Sequence, residues 1–100
     1  MRIAELQQDV KKFSEEKGFS NTTIEERTIF LVTEVGEVAK EVLHIIYESD
    51  TEKMNKLKEK LGLELYDVVW NVIELANKLD IDLEDAFRKK REINKHRQWV

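Results

Sequence analysis

Two stretches decide how this chain is read: Leu31-Val32-Thr33-Glu34-Val35-Gly36-Glu37-Val38-Ala39 and Leu61-Gly62-Leu63-Glu64-Leu65-Tyr66-Asp67-Val68-Val69-Trp70. In each, two carboxylates three residues apart stand inside an apolar run. On a helix that spacing places both on one face, and Glu41 prolongs the first face as Asn71 prolongs the second. Acidic pairs at this spacing are common on solvated helices; these two differ in their setting, which withdraws a carboxylate from water. Each pair also has a glycine beside it, Gly36 or Gly62, although glycine inside a helix costs about 1 kcal/mol relative to alanine. Close helix approach or ligand access would explain tolerating that cost. If the two helices run antiparallel, the pairs face each other, and so many like charges in one place call for a bound cation or for protons. Carboxylates without His or Cys suit a hard ion, Mg²⁺ ahead of Ca²⁺ or Mn²⁺.

Outward from these stretches the pattern stays helical. Helix 1 is expected over about Ile3 to Lys17, with Ile3, Leu6, Val10 and Phe13 at helical spacing and Gly18 as its stop. Helix 2 opens at Thr22-Thr23 with Glu25-Glu26 three residues on, a capping box, and runs to about Glu48. Its inner stripe is Ile24, Leu31, Val35, Val38, Val42 and Ile45. Ser49-Asp50-Thr51-Glu52 repeats the cap and opens helix 3, which reaches about Leu79 on an inner stripe of Leu57, Leu61, Leu65, Val68, Val72 and Leu75. Asp82 with Asp85 caps helix 4, expected through about Arg97. Short connections predict an antiparallel four-helix bundle. Ile29, Phe30, Val32, Leu43 and Ile46 on helix 2, and Leu63, Val69, Ile73 and Leu79 on helix 3, widen the apolar surface beyond one stripe. That excess predicts a bundle completed by homo-oligomerisation, a homodimer or homotetramer.

Composition agrees with this reading. The chain has 100 residues, no proline, no cysteine and only three glycines, too little punctuation for a sheet of short strands. One domain over residues 1–100 is expected. Without cysteine there is no disulfide framework and no thiolate chemistry. No apolar run is long enough for a membrane span and the N-terminus lacks a signal-peptide pattern, which predicts a soluble, cytoplasmic protein with no membrane partner. The net charge of −4 argues against nucleic acid as a partner. The charge is uneven, because Arg88 to Arg97 hold six basic side chains against one Glu, leaving the remainder strongly acidic. Two histidines support no Ser-His-Asp arrangement, and no glycine-rich loop ending in Gly-Lys-Ser/Thr is present.

The two stretches together, with a glycine-aromatic turn after helix 1 and the Ile81-Asp82-Leu83-Glu84-Asp85-Ala86-Phe87 entry into a basic last helix, resemble the ExxE…ExxD pattern of the MazG-like all-α nucleotide pyrophosphohydrolases. The resemblance covers essentially the whole chain. It implies an Mg²⁺-dependent enzyme, with Mn²⁺ as a substitute, that cleaves a nucleoside triphosphate to the monophosphate and pyrophosphate in clearing the nucleotide pool. The ligand and catalytic set it implies is Glu34, Glu37, Glu64 and Asp67. Many relatives carry a further Glu directly before the first ligand, where this chain has Thr33. Lys90, Asn94 and Arg97, at i, i+4 and i+7, match the family's triphosphate contacts, while Lys89, Arg91 and Lys95 read as a solvated basic helix end. Phe13, Phe19 and His44 are the implied base-binding residues; Trp70 reads either as a roof to the site or as core. A near alternative, phosphoribosyl-ATP pyrophosphohydrolase, usually continues its ExxD with Leu-Tyr-His, and here Val68-Val69-Trp70 follows. From a different class, a non-enzymatic helical oligomerisation module would leave both acidic faces solvated.

Overall fold

The computed structural model describes residues 2–99. Among them are four α-helices and no strand: α1 (Ile3–Glu16), α2 (Ile24–Tyr47), α3 (Thr51–Lys78) and α4 (Leu83–His96), with a 3-10 turn at Phe19–Asn21. The all-α class predicted from the sequence is the class observed.

The helix ends follow local chemistry. Lys17 closes α1 and Gly18 takes φ 76°, where a β-carbon would be strained. At the start of α2, Thr23 Oγ1 accepts from the Glu26 amide at 3.1 Å and the Glu26 carboxylate accepts from the Thr23 amide at 3.2 Å, the expected capping box. For α3 the capping oxygen belongs to Asp50, which accepts from the Lys53 amide at 2.9 Å. After α3, Asp80 adopts φ 54° and the Ile81 amide reaches back to the Ala76 carbonyl at 2.9 Å. Asp82 then caps α4 by accepting from the Asp85 amide at 3.2 Å.

One end departs from expectation. Arg97 lies outside α4, in extended backbone at φ −83° and ψ 136°. Its guanidinium stands 4.5 Å from the centre of the Trp99 ring, and the Trp99 indole N–H donates to the Asn94 carbonyl at 3.3 Å. These contacts draw the chain out of the helix just before Arg97, so that residue does not share a helix face with Lys90 and Asn94.

The described chain forms two compact units. The first joins the N-terminal segment through Asn21 to everything from Ile73 onward, and the second is Thr22–Val72. In the first unit Val10, Ile73 and Ala76 are the fully buried apolar side chains. Ile73, expected on the outward part of helix 3, is core here. Gln7 ties α1 to the α3–α4 turn: its amide N–H groups donate to Asn77 Oδ1 and the Ile81 carbonyl, both at 3.0 Å, and its side-chain oxygen accepts from the Leu83 amide at 2.9 Å. The Asn77 side chain answers by donating to the Gln7 carbonyl at 3.1 Å. One side chain thereby satisfies turn and helix-start groups that would otherwise lack partners.

In the second unit α2 runs antiparallel to the residues of α3 up to Val72. Arg27 meets Asn71, Glu34 meets Glu64 and Asp67, and Glu41 meets Lys60, so partners descend along α3 as one ascends α2. Every fully buried residue of this hairpin is polar: Arg27, Glu41 and Asn71. Leu31, Val38, Ile45, Leu57, Leu61 and Val68 are only half-buried, and Ile24, Val35, Val42, Leu65 and Val72, expected inside, are exposed. The seam that the apolar pattern predicts is occupied by charged and amide groups instead.

Gly36 and Gly62 do not mark a close approach between helices, because a β-carbon built at either would meet nothing within 4 Å. Gly36→Ala and Gly62→Ala are therefore expected each to raise stability by about 1 kcal/mol through helix propensity alone. Chemical denaturation would measure this, and a loss of stability in either variant would contradict the open space around that position.

Candidate metal centre

The polar seam has heptad spacing on both helices. Arg27, Glu34 and Glu41 recur every seventh residue on α2, and Lys60, Glu64, Asp67 and Asn71 alternate four and three apart on α3. At the middle of the seam one carboxylate oxygen from each of Glu34, Glu64 and Asp67 lies within 4.8 Å of the other two. Glu34 and Glu64 are half-buried and Asp67 is exposed. Burial is the largest influence raising the Glu34 carboxyl above its ordinary value of 4.5; Asp67, Glu64 and Glu37 push it the same way, as does a hydrogen bond with Glu64. Among the described residues no Lys, Arg or His forms an ion pair with any of the three.

Glu37 stands outside this group. It is exposed, and its charge nevertheless reaches Glu34. The structure thus gathers three of the four carboxylates that the pattern singled out and leaves the fourth at the rim.

Cations stand at each end of the seam instead of within it. Toward the start of α2, Arg27 donates to Asn71 Oδ1 at 3.2 Å and to Thr22 Oγ1 at 3.2 Å, with its guanidinium 5.2 Å from the Phe30 ring centre and 5.1 Å from that of Trp70. Asn71 in turn donates to the Asp67 carbonyl at 2.8 Å. Trp70 is thus a half-buried platform for a buried arginine. At the other end Glu41 is fully buried and accepts the Lys60 ammonium at 3.1 Å. The Glu41 hydrogen bond raises the Lys60 pKa, assisted by the charges of Glu41, Glu64 and Glu37. Sequence reasoning noticed Glu41 only as the continuation of an acidic face and missed Arg27 and Lys60. The seven-residue spacing of 27, 34 and 41 was the available signal.

The other candidates fall in both units. His44 is exposed, its Nδ1 3.8 Å from Glu41 Oε2. In the first unit Phe13 and Phe19 form a tilted pair with ring centres 6.4 Å apart. On α4, Lys89 pairs with Asp85 at 2.9 Å and Lys95 with Glu92 at 3.7 Å, whereas Lys90 has no ion pair among the described residues. Asn94 is half-buried, and its Oδ1 accepts no hydrogen bond from the described residues.

Three carboxylate oxygens drawn together without a counter-ion make a donor set for a hard divalent cation, and the residues present fit such an ion. The fold and this centre define an all-α protein built around an acidic seam. The MazG nucleotide pyrophosphohydrolase domain matches residues 19–98, and the chain belongs to that family. It is also similar to the Gene 37 protein of Mycobacterium phage L5, 38% identical over 62 residues, which are 62% of this chain and 54% of that protein. The chain thus spans about half the length of that curated relative. No solved structure matches it significantly. No helix among the described residues is long and apolar enough to cross a membrane.

Proposed function

We propose that the protein hydrolyses a nucleoside triphosphate, ribo or deoxy, between its α and β phosphates, adding water to give the monophosphate and pyrophosphate. The observation that carries this is the Glu34, Glu64 and Asp67 group, which no Lys, Arg or His among the described residues pairs with, in a member of a nucleotide pyrophosphohydrolase family. These three would hold Mg²⁺, or Mn²⁺ in its place. The ion, when bound, offsets phosphate charge and acidifies water. Glu37, left outside the group, is the carboxylate available to take the proton of the attacking water. Lys90 and Arg97 steady the leaving pyrophosphate, and Asn94 supplies a hydrogen-bonding amide between them in sequence. Phe13, Phe19 and His44 hold the base.

We further infer that the 100 residues act as one domain in a cytoplasmic homodimer or homotetramer, with neither nucleic acid nor membrane as partner. Support for assembly comes from Ile29, Val32, Leu43, Ile46 and Leu63, all more than half exposed. Incubation with each natural ribo- and deoxynucleoside triphosphate, with Mg²⁺ or with EDTA, tests the reading by pyrophosphate release. Release in Mg²⁺ alone is expected. Turnover of phosphoribosyl-ATP in place of any triphosphate would transfer the assignment to histidine biosynthesis, and no metal-dependent turnover at all would favour a helical module. Arg97→Ala should lower kcat/KM by about ten- to a hundredfold, as expected for a lost charge-assisted hydrogen bond, while Lys95→Ala changes little.

A further inference from the structure

The acidic seam continues past Glu34 to Glu41, whose side chain is only 2% exposed. Its Oε1 accepts from the Lys60 ammonium at 3.1 Å. Its Oε2 is buried with no hydrogen-bond partner among the described residues, the nearest cationic group being His44 Nδ1 at 3.8 Å. Lys60 stands one turn before Glu64 on α3, and Glu37 stands one turn before Glu41 on α2, so one ammonium is bordered by three carboxylates. The hydrogen bond from Lys60 to Glu41 and the Glu41 charge raise the Lys60 pKa, burial opposes them, and the charges of Glu64 and Glu37 raise it further. Glu64 thus belongs to two groups: with Glu34 and Asp67 on one side, and with Glu41 and Glu37 around Lys60 on the other. The donors are the same hard oxygens in both. The ammonium serves only one Glu41 oxygen, whereas a divalent ion can be held through one carboxylate oxygen or through both.

We propose that Lys60 is a built-in cation: its ammonium occupies a second metal position bounded by Glu41, Glu64 and Glu37, and so limits the seam to one divalent ion, on Glu34, Glu64 and Asp67. The inference rests on the reading of those three carboxylates as a metal centre. A tethered point charge keeps buried Glu41 partnered whether or not the neighbouring ion is bound. Taking that charge away leaves a buried carboxylate without a partner, a strongly destabilising state that a hard divalent ion can relieve.

Electron paramagnetic resonance titration of the full chain with Mn²⁺ counts bound ions without nucleotide or turnover. One ion per chain is expected for the unaltered sequence and for Lys60→Arg, which keeps the charge. Lys60→Met, which keeps most of the stem and loses the charge, should bind two, and Lys60→Met/Glu41→Gln should return to one. In EDTA, Lys60→Met should melt below the unaltered chain, and Mn²⁺ should raise its Tm by more. If circular dichroism finds Lys60→Met unfolded in EDTA, Mn²⁺ should restore its helix, and failure to restore it overturns the proposal. Two ions in the unaltered chain, one in folded Lys60→Met, or two in Lys60→Met/Glu41→Gln also overturn it, while leaving the Glu34, Glu64 and Asp67 centre in place. No bound ion in any of these proteins removes that centre, and this inference with it.

Discussion

Replacing Asp67 with asparagine should reduce metal-dependent nucleotide hydrolysis by more than about a hundredfold while leaving the metal-free fold at least as stable as before. The lower bound follows from the ten- to hundredfold loss that disturbing even an outer-sphere partner of a metal ligand produces. The stability half follows from electrostatics: Asp67 is the charged neighbour that most strongly raises the Glu34 carboxyl pKa, and no Lys, Arg or His among the described residues pairs with it. Removing one like charge relieves the group without opening a cavity, because asparagine has the same shape. Pyrophosphate release measured beside thermal melting in EDTA checks both parts. Full activity in the variant would remove Asp67 from the centre, and a clear loss of metal-free stability would mark it as structural.

The largest effect on folding is expected from Arg27→Ala. Arg27 is fully buried, donates to Asn71 and Thr22, and lies over two aromatic rings. Truncation strands the Asn71 acceptor in a hairpin whose other fully buried groups are also polar, which costs about 1–3 kcal/mol, and loss of the two ring contacts adds about 0.5–2 kcal/mol. At about 4–8 °C per kcal/mol for a domain of this size, Tm should fall by on the order of 10 °C. Melting followed by circular dichroism measures it, with Arg27→Met as the companion that keeps much of the stem packing. A fall of only a degree or two in Arg27→Ala would show that the buried guanidinium contributes little.

Which parts of this were legible in the sequence depends on whether one residue or two decide a feature. Helix limits are local, and Thr23 with Glu26, Asp82 with Asp85, and Gly18 announced theirs. The pairs Glu34 with Glu37 and Glu64 with Asp67 were equally visible, since three-residue spacing is a property of one helix. Whether Glu37 joins the group depends on how α2 is rotated against α3, which no single helix encodes. The same rotation buries Glu41 and Arg27, charged residues that composition alone assigns to the surface, and leaves Val35 and Val42 exposed. The place of Arg97 just beyond α4 has another reason: an indole two residues further along competes with the helix for the chain end.

Helix α1 meets the α3–α4 turn through Gln7, whose partners Asn77, Ile81 and Leu83 lie some seventy residues away along the sequence. The other unit is contiguous from Thr22 to Val72. As the chain emerges from a ribosome, the hairpin can form once its own residues are out, whereas α1 must wait until Asn77, Ile81 and Leu83 are out before its partners exist. Closing so long a loop is also the entropically costlier step in refolding. Pulsed hydrogen exchange should therefore find α2 amides protected before those of α1, with simultaneous protection excluding this order. A nascent chain halted before Asn77 would present α1 with its Gln7 side chain unsatisfied, and so the N-terminal helix is the segment most open to proteolysis or chaperone capture during synthesis.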